Sequence, residues 1–176
     1  MDNLSQLKQK LIQFFGLALS FILNILPYKV LINIKERLYI VKKMDYERFD
    51  IFLNIDSQIE YNIRLHSCKK EPEMIDWIEN FFKEGDIFFD VGSNVGAYAL
   101  VASKFYGGEI TVYAFEPAFQ NFTQLCRNVF LNHCQESIIP LQVALSDKTS
   151  IDIFLYNTTI PGRALHALGK SIDYRG

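Results

Sequence analysis

The chain has 176 residues, of which 49% are apolar and 22% charged, with 18 basic side chains against 20 acidic ones. This length and composition predict a globular protein, because a disordered or fibrous chain would contain fewer core-forming residues. The net charge of −2 disfavours a protein that binds nucleic acid along its whole length. None of the three cysteines has the spacing of a zinc site or a redox pair, so we expect no metal site and a reducing, cytoplasmic compartment: Cys68, Cys126 and Cys134.

Residues 1–48 differ from the rest because they carry eight basic and four acidic side chains. A mostly apolar run over residues 11–26 is ended by Pro27. As a helix this run would be about 24 Å long, less than the roughly 30 Å hydrocarbon thickness of a bilayer. Its polar residues recur at helical spacing and predict a narrow polar stripe beside a wide apolar face: Gln6, Gln9, Gln13, Ser20 and Asn24.

The next stretch, residues 28–43, mixes aliphatic with basic side chains, as expected beside anionic headgroups. Two interpretations of residues 1–48 stay open. The segment binds peripherally to the inner face of a membrane, or its helices pack on the following domain or on a partner subunit. A signal peptide is disfavoured, because no cleavage site of small residues follows Leu26.

Residues 49–176 are expected to form the second domain. Alternating apolar residues over 49–55 and 59–65, separated by Asp56 to Gln58, predict a β-hairpin. Helical spacing from Glu71 to Lys83 predicts an amphipathic helix.

Strands and helices then alternate, which predicts an α/β fold containing half of a doubly wound, Rossmann-like parallel sheet. The first of these strands, Ile87–Val91, is apolar on both faces, as in a central strand covered by helices. A further strand is predicted from Ile151 to Tyr156. The alternating elements are the strand Ile87–Val91, the helix Asn94–Tyr106, the strand Ile110–Phe115, the helix Ala118–Asn132 and the strand Ile138–Val143.

The most informative segment is residues 88–96, FFDVGSNVG, where a strand meets a glycine-containing turn and then a helix. Glycine allows backbone to approach a ligand closely, and a helix N-terminus favours an anionic group. Glu116 ends the next strand, twenty residues after Gly96. A carboxylate at that position binds ribose hydroxyls in Rossmann-type sites.

Two details favour S-adenosylmethionine over a dinucleotide. Asn94 occupies the middle glycine position of the dinucleotide motif, where a side chain would crowd a diphosphate. Asp90 would place a negative charge beside the same diphosphate. The carboxylate of Asp90 instead suits the ammonium group of S-adenosylmethionine, and the turn amides suit its carboxylate.

Four motifs resemble the FkbM family of S-adenosylmethionine-dependent methyltransferases. They are RLHSCKKEPEMIDWI at 64–78, FFDVGSNVGAYAL at 88–100, FEP at 115–117 and VALSD at 143–147. The resemblance covers roughly residues 60–160. It implies a class I methyltransferase fold and methyl transfer, usually to an oxygen of a small molecule or sugar, so we expect a small-molecule or glycan hydroxyl as acceptor and no nucleic acid.

The resemblance also implies roles for individual residues. The methionine end of the cofactor would contact Asp90, Gly92, Ser93, Asn94 and Gly96. Glu116 would hold the ribose hydroxyls, Pro117 would shape the adenine pocket, and Ala144 would lie near the adenine edge. Glu71 would approach the methionine moiety.

The sequence does not allow us to assign the general base that would accept the proton of a hydroxyl acceptor. The three histidines are isolated in sequence: His66, His133 and His166. His166, in a loop flanked by glycines, is the best candidate among them, but the catalytic residue stays unassigned.

The family pattern continues with a fourth strand, whereas only 33 residues follow Val143. We therefore expect a sheet that is incomplete at its C-terminal side, with Ile87–Val91 as a bare edge, in an N-terminal fragment of a longer protein. Two other functions stay open. One is a nicotinamide dehydrogenase, and the other is an inactive, truncated methyltransferase-like interaction protein at a membrane surface.

Overall fold

A computed structural model describes residues 2–169, with side chains from residue 6 onwards. The chain divides into two units, one ending at Tyr39 and the other beginning at Ile40. From the sequence we expected the boundary between the two domains after residue 48.

The first unit contains two helices, α1 (Asp2–Ile25) and α2 (Tyr28–Arg37). Pro27 separates them, and its carbonyl accepts hydrogen bonds from the backbone N–H groups of Val30 and Leu31 at 2.9 and 3.1 Å. The helix predicted over residues 11–26 is confirmed and begins earlier than expected. Within residues 2–169, no helix combines the length and the apolar character that crossing a membrane requires.

The second unit begins with an antiparallel pair of strands, followed by short helical segments. In chain order these are β1 (Val41–Lys43), β2 (Phe52–Asn54), α3 (Gln58–Asn62), a 3-10 turn (Arg64–His66) and α4 (Ser67–Lys70).

A parallel three-stranded sheet with the order β3-β4-β5 follows, and its strands alternate with helices. This arrangement confirms the predicted α/β, Rossmann-like fold. The elements are α5 (Pro72–Phe81), β3 (Ile87–Val91), α6 (Ala97–Phe105), β4 (Thr111–Phe115), α7 (Phe119–Leu131) and β5 (Ile138–Leu141).

The predicted hairpin is wrong in its second strand. Residues 58–62 are helical because the Ser57 hydroxyl caps this turn, accepting from the backbone N–H of Glu60 at 3.1 Å. β2 pairs instead with β1, earlier in the chain. The other edge of β2 is occupied by α7, since the side-chain carbonyls of Asn132 and Asn128 accept from the backbone N–H groups of Phe52 and Asn54, each at 2.8 Å.

One face of the parallel sheet carries the core. Phe88 of β3 and Val112 of β4 are buried in the core, together with Ile78 of α5, Leu100 of α6 and Leu125 of α7.

The opposite face corrects the expectation of a strand covered on both sides. Ile87, Phe89 and Val91 are each more than half exposed. Phe89 stacks on Tyr113 and Phe115, with ring centroids 5.4 and 6.0 Å apart. In the part of the chain that the structure describes, β3 has a strand neighbour only on the β4 side, as expected for a bare edge.

The strand predicted from Ile151 to Tyr156 is also corrected. Only β6 (Phe154–Leu155) is extended and paired, and its partner is the antiparallel β7 (Ala167–Leu168). These two strands form a separate ribbon and do not join the parallel sheet.

Candidate cofactor-binding site

The candidate site begins at the turn between β3 and α6. Three residues of this turn have positive φ angles: Gly92 at 82°, Asn94 at 53° and Gly96 at 87°. The backbone N–H groups of Gly92 and Ser93 donate to the carbonyl oxygen of Phe115 at 2.9 and 3.0 Å. The turn is therefore fixed to the carboxyl end of the neighbouring strand β4. Because the turn extends to Gly96, α6 begins at Ala97, later than the predicted Asn94.

The two glycines serve this turn in different ways. A Cβ atom on Gly96 would lie 2.5 Å from Cδ1 of the buried Leu125, so α7 packs directly against the backbone here. A Cβ atom on Gly92 would meet nothing within 4 Å. Gly92 is therefore required only for its φ angle, and the space beside it is open to a ligand.

Glu116 follows β4 and is buried against the turn. Its Oε2 accepts from the backbone N–H of Asn94, and its Oε1 accepts from the backbone N–H of Ala118, both at 2.9 Å. These bonds fix the carboxylate in one orientation. Each carboxylate oxygen can accept a second hydrogen bond, so two hydroxyl donors can still be accommodated.

Asp90 lies at the carboxyl end of β3 with 8% of its surface exposed. Burial raises the pKa of its carboxyl to about 6, and the Glu116 charge contributes to the rise. Within residues 2–169, Asp90 Oδ2 and Asn94 Oδ1 are buried acceptors without a hydrogen-bond partner. Buried polar atoms are normally satisfied, so these two acceptors point to a ligand that donates hydrogen bonds.

A segment of residues 158–163, which we call the strap, is hydrogen-bonded to this turn. The side-chain amides of Asn94 and Asn121 both donate to the carbonyl oxygen of Arg163 at 2.9 Å. Asn121 also accepts from the backbone N–H of Gly162 at 2.9 Å. The guanidinium of Arg64 donates to the Gly162 carbonyl at 2.8 and 2.6 Å. The strap thus joins the turn, α7 and the 3-10 turn.

A buried carboxylate that the sequence analysis missed lies under the strap. Glu60 is fully buried, and its oxygens accept from the Gln124 side chain at 2.8 Å and from the Asp56 backbone at 2.7 Å. Burial raises the pKa of Glu60. A Cβ atom on Gly162 would lie 2.7 Å from Glu60 Cγ, so the strap packs closely over this residue. The signal was present in the sequence, because Ser57 and Glu60 have the spacing of a capping box.

Glu71 lies apart from the turn, at the start of α5. Its carboxylate accepts from the hydroxyl of Tyr98 at 2.8 Å and pairs with the ammonium of Lys70 at 2.6 Å. Both contacts lower the pKa of Glu71. Tyr98 belongs to the first helical turn of α6, so Glu71 contacts the helix that follows the glycine turn through this hydrogen bond.

Pro117 and Ala144 are brought together at a cavity of about 610 Å³. Residues 142–152 supply most of its wall. Neither the turn residues Asp90 to Gly96 nor Glu116 lines this cavity. The predicted adenine end is therefore separate from the predicted methionine end, with Glu116 between them in sequence.

The histidines are dispersed over the second unit. Nδ1 of His166 accepts from the backbone N–H of Asn157 at 3.2 Å, and its ring lies beside Phe154 and Tyr156. His66 ends the 3-10 turn, and His133 follows α7 with a φ angle of 56°. None of these contacts assigns a general base.

The strand order, the parallel pairing and the glycine turn at the end of β3 define a Rossmann-like α/β unit. In sequence, the chain is similar to a methyltransferase. That relative is the hexuronic acid methyltransferase AglP of Haloferax volcanii, with 29% identity over 103 residues. The match covers 58% of this chain and 40% of the relative. No family model matches the chain.

Three solved structures are similar to part of this chain. PH0793 of Pyrococcus horikoshii, assigned as a transferase, has 16% identity and a TM-score of 0.46, covering 60% of this chain and 36% of that one. TYW2 of M. jannaschii, solved with AdoMet, has 17% identity and a TM-score of 0.44, covering 58% and 42%. Trm5 of Methanocaldococcus jannaschii, solved with adenosine, has 17% identity and a TM-score of 0.43, covering 60% and 29%. The fold assignment therefore rests on the strand order and pairing described above.

Proposed function

We propose that this chain carries the cofactor site of an FkbM-like, S-adenosylmethionine-dependent methyltransferase that modifies a hydroxyl oxygen of a small molecule or sugar. The observation that carries the proposal is a pair of buried acceptors at the turn, Asp90 Oδ2 and Asn94 Oδ1, for which the described part of the chain offers no hydrogen-bond partner. An ammonium group supplies the N–H donors and the positive charge that these acceptors lack. Similarity to AglP, a hexuronic acid methyltransferase, supports the reaction class.

The same atoms argue against a nicotinamide dinucleotide. A diphosphate carries only acceptor oxygens and negative charge, so it would leave both acceptors unsatisfied and would repel the Asp90 and Glu116 carboxylates. The buried side chain of Asn94, tied to the strap at 2.9 Å, occupies the position where a dinucleotide site has its middle glycine.

Most of the predicted residues then have a task at the cofactor, whereas Gly96 packs against Leu125. Asp90 and Asn94 accept from the ammonium group, while the methionine moiety lies in the open space beside Gly92. The N–H groups of Gly92 and Ser93 already donate to the Phe115 carbonyl, so they do not serve the cofactor carboxylate as the sequence suggested. Glu116 accepts from the ribose hydroxyls with its remaining lone pairs. Pro117 and Ala144 line the cavity for the adenine base, and Glu71 orients the start of α6 through Tyr98.

Bound S-adenosylmethionine would supply an electrophilic methyl group on a cationic sulfonium. The protein contributes by holding the acceptor oxygen in line with that methyl group and by excluding water. Held by Asp90, Asn94 and Glu116, S-adenosylmethionine would give its methyl group to the acceptor oxygen and leave as a neutral thioether, while the hydroxyl proton would go to a base or to solvent.

Calorimetric titration of the 176-residue chain tests the cofactor. We expect saturable binding of S-adenosylmethionine, weakened at least tenfold by Asp90→Asn and by Glu116→Gln, because each loses a charge-assisted hydrogen bond worth about 1.5–3 kcal/mol. Glu84→Gln removes one charge from the exposed turn before β3 and should bind like wild type. Binding of NADH in preference, or equal affinity in all three variants, would contradict the assignment.

The acceptor needs a separate assay. Transfer of labelled methyl groups from S-adenosylmethionine to hexuronic acids and to neutral hexoses measures it directly. We expect incorporation into at least one of these hydroxyl-bearing classes. If the cofactor binds and neither class is methylated, the acceptor assignment is wrong while the cofactor assignment stands.

A further inference from the structure

The helix α1 exposes an unusual amount of apolar surface. Its large apolar side chains from residue 7 onwards are mostly about half exposed or more, and the most exposed of them are Ile12, Phe14, Phe15, Leu17, Phe21 and Ile25. Contiguous apolar surface of this extent on a protein marks a site for a partner or a membrane.

The side chains of α1 are sorted by face. At about 100° per residue, the polar stripe predicted from the sequence, Gln6 to Asn24, is roughly 60° wide. Phe14 and Phe21 lie on the apolar face, about 110° and 90° from the centre of this stripe. Lys10 falls near the edge of the apolar face, beside Phe21, and Lys8 falls within that face. The aliphatic stem of each lysine can lie along apolar surface while its ammonium group reaches water.

Charge decides which kind of partner covers this face. Residues 2–37 contain five basic and two acidic side chains, whereas residues 38–176 contain thirteen basic and eighteen acidic ones. The last turn of α2 carries Lys35 and Arg37, and Val30 and Ile32 are exposed on the same helix. A basic, apolar segment attached to an acidic unit is complementary to a surface that is both anionic and apolar.

We propose that α1 and α2 form a docking surface for an anionic lipid bilayer. α1 lies in the plane of the membrane interface, with the face of Phe14 and Phe21 among the acyl chains and the polar stripe towards water. The absence of a membrane-spanning helix from residues 2–169 agrees with this orientation. The basic residues of α2 contact the headgroups.

Vesicle flotation of the full chain tests the proposal. The vesicles contain phosphatidylcholine with phosphatidylglycerol, or phosphatidylcholine alone. The face variant carries Phe14→Asp and Phe21→Asp. Its matched control carries Gln13→Asp and Ser20→Asp, which add the same two charges one position away, on the polar stripe.

We expect wild type and the stripe control to float with the anionic vesicles, and the face variant to float at least tenfold less. Binding to phosphatidylcholine alone should be several-fold weaker than to the mixed vesicles. The neutral pair Phe14→Ser and Phe21→Ser should behave like the face variant, which separates lost apolar contact from added charge. Circular dichroism checks that the variants remain folded.

Several outcomes would overturn the proposal. One is no flotation of wild type, and another is equal loss in the face variant and the stripe control. A third is that wild type does not bind vesicles but sediments as a dimer, while the face variant sediments as a monomer. The apolar face would then be covered by a second copy of the chain.

Discussion

Replacing Asp90 with asparagine should stabilise the folded chain at neutral pH. The carboxyl is 8% exposed, and burial raises its pKa from the ordinary value of 3.8 to about 6. A pKa that is higher in the folded than in the unfolded chain means that the folded state binds the proton more tightly. The stabilising contribution of the protonated group is therefore complete below pH 3.8 and is lost as the pH rises through 6.

The size of the effect follows from the difference between the two pKa values. About two pKa units correspond to ~3 kcal/mol at 1.36 kcal/mol per unit. Asparagine has nearly the same shape and carries no charge, so Asp90→Asn avoids this cost above pH 6. Relative to wild type, the variant should gain little stability near pH 4 and up to ~3 kcal/mol near pH 8.

Urea unfolding of both proteins between pH 4 and 8 measures this difference. The Glu84→Gln variant, which changes an exposed carboxylate, should show a difference that hardly varies with pH. A difference between Asp90→Asn and wild type that is the same at every pH, or a variant less stable than wild type at pH 8, would refute the reasoning.

Three further predictions concern the same region. Gly96→Ala should lower the free energy of unfolding in urea by ~2–4 kcal/mol, because the backbone is strained at a φ of 87° and the new Cβ atom would lie 2.5 Å from Leu125. Gly92→Ala should lower it by only ~1–2 kcal/mol, because only backbone strain applies there. Equal losses would contradict the packing argument. Asn128→Ala should lower the free energy of unfolding by about 3 kcal/mol, since the buried side-chain amide forms hydrogen bonds with β2 and with the glycine turn. The control Thr123→Ala, on the exposed face of α7, should change it by less than about 0.5 kcal/mol. Affinity for S-adenosylmethionine should fall as the pH drops below about 6 in calorimetry, where the proposed ammonium partner becomes protonated, and a pH-independent affinity would argue against that contact.

The sequence predicted the alternating part of the fold well. Strands β3, β4 and β5 and helices α5, α6 and α7 all lie within their predicted ranges, because each has a periodicity that local physics can reproduce. The hairpin failed at residues 59–65, where apolar alternation coincides with a helix cap in which the Ser57 hydroxyl accepts from the backbone N–H of Glu60. The capping interaction and the burial of Glu60 determined the structure, and periodicity alone did not reveal either.

For the candidate site, the sequence predicted residue types and could not predict their partners. The nearness of Asn94 to Glu116 follows from parallel pairing of β3 with β4 and could be expected. The strap could not, because Arg163 reaches the turn through its backbone carbonyl, which any residue possesses. The roles assigned to the nine site residues stay predictions until the binding experiments are done.

The double use of the Arg163 carbonyl, which accepts from both Asn94 and Asn121, couples two distant parts of the chain. If the strap detaches, the side chain of Asn94 loses its donor contact in the same event. The backbone of the glycine turn is held separately by Phe115 and Glu116, so opening of residues 158–163 would release the side chain of Asn94 and leave the turn in place. A substitution in the strap is therefore expected to change how firmly the side chains of Asn94 and Asn121 are held, although it lies outside the turn.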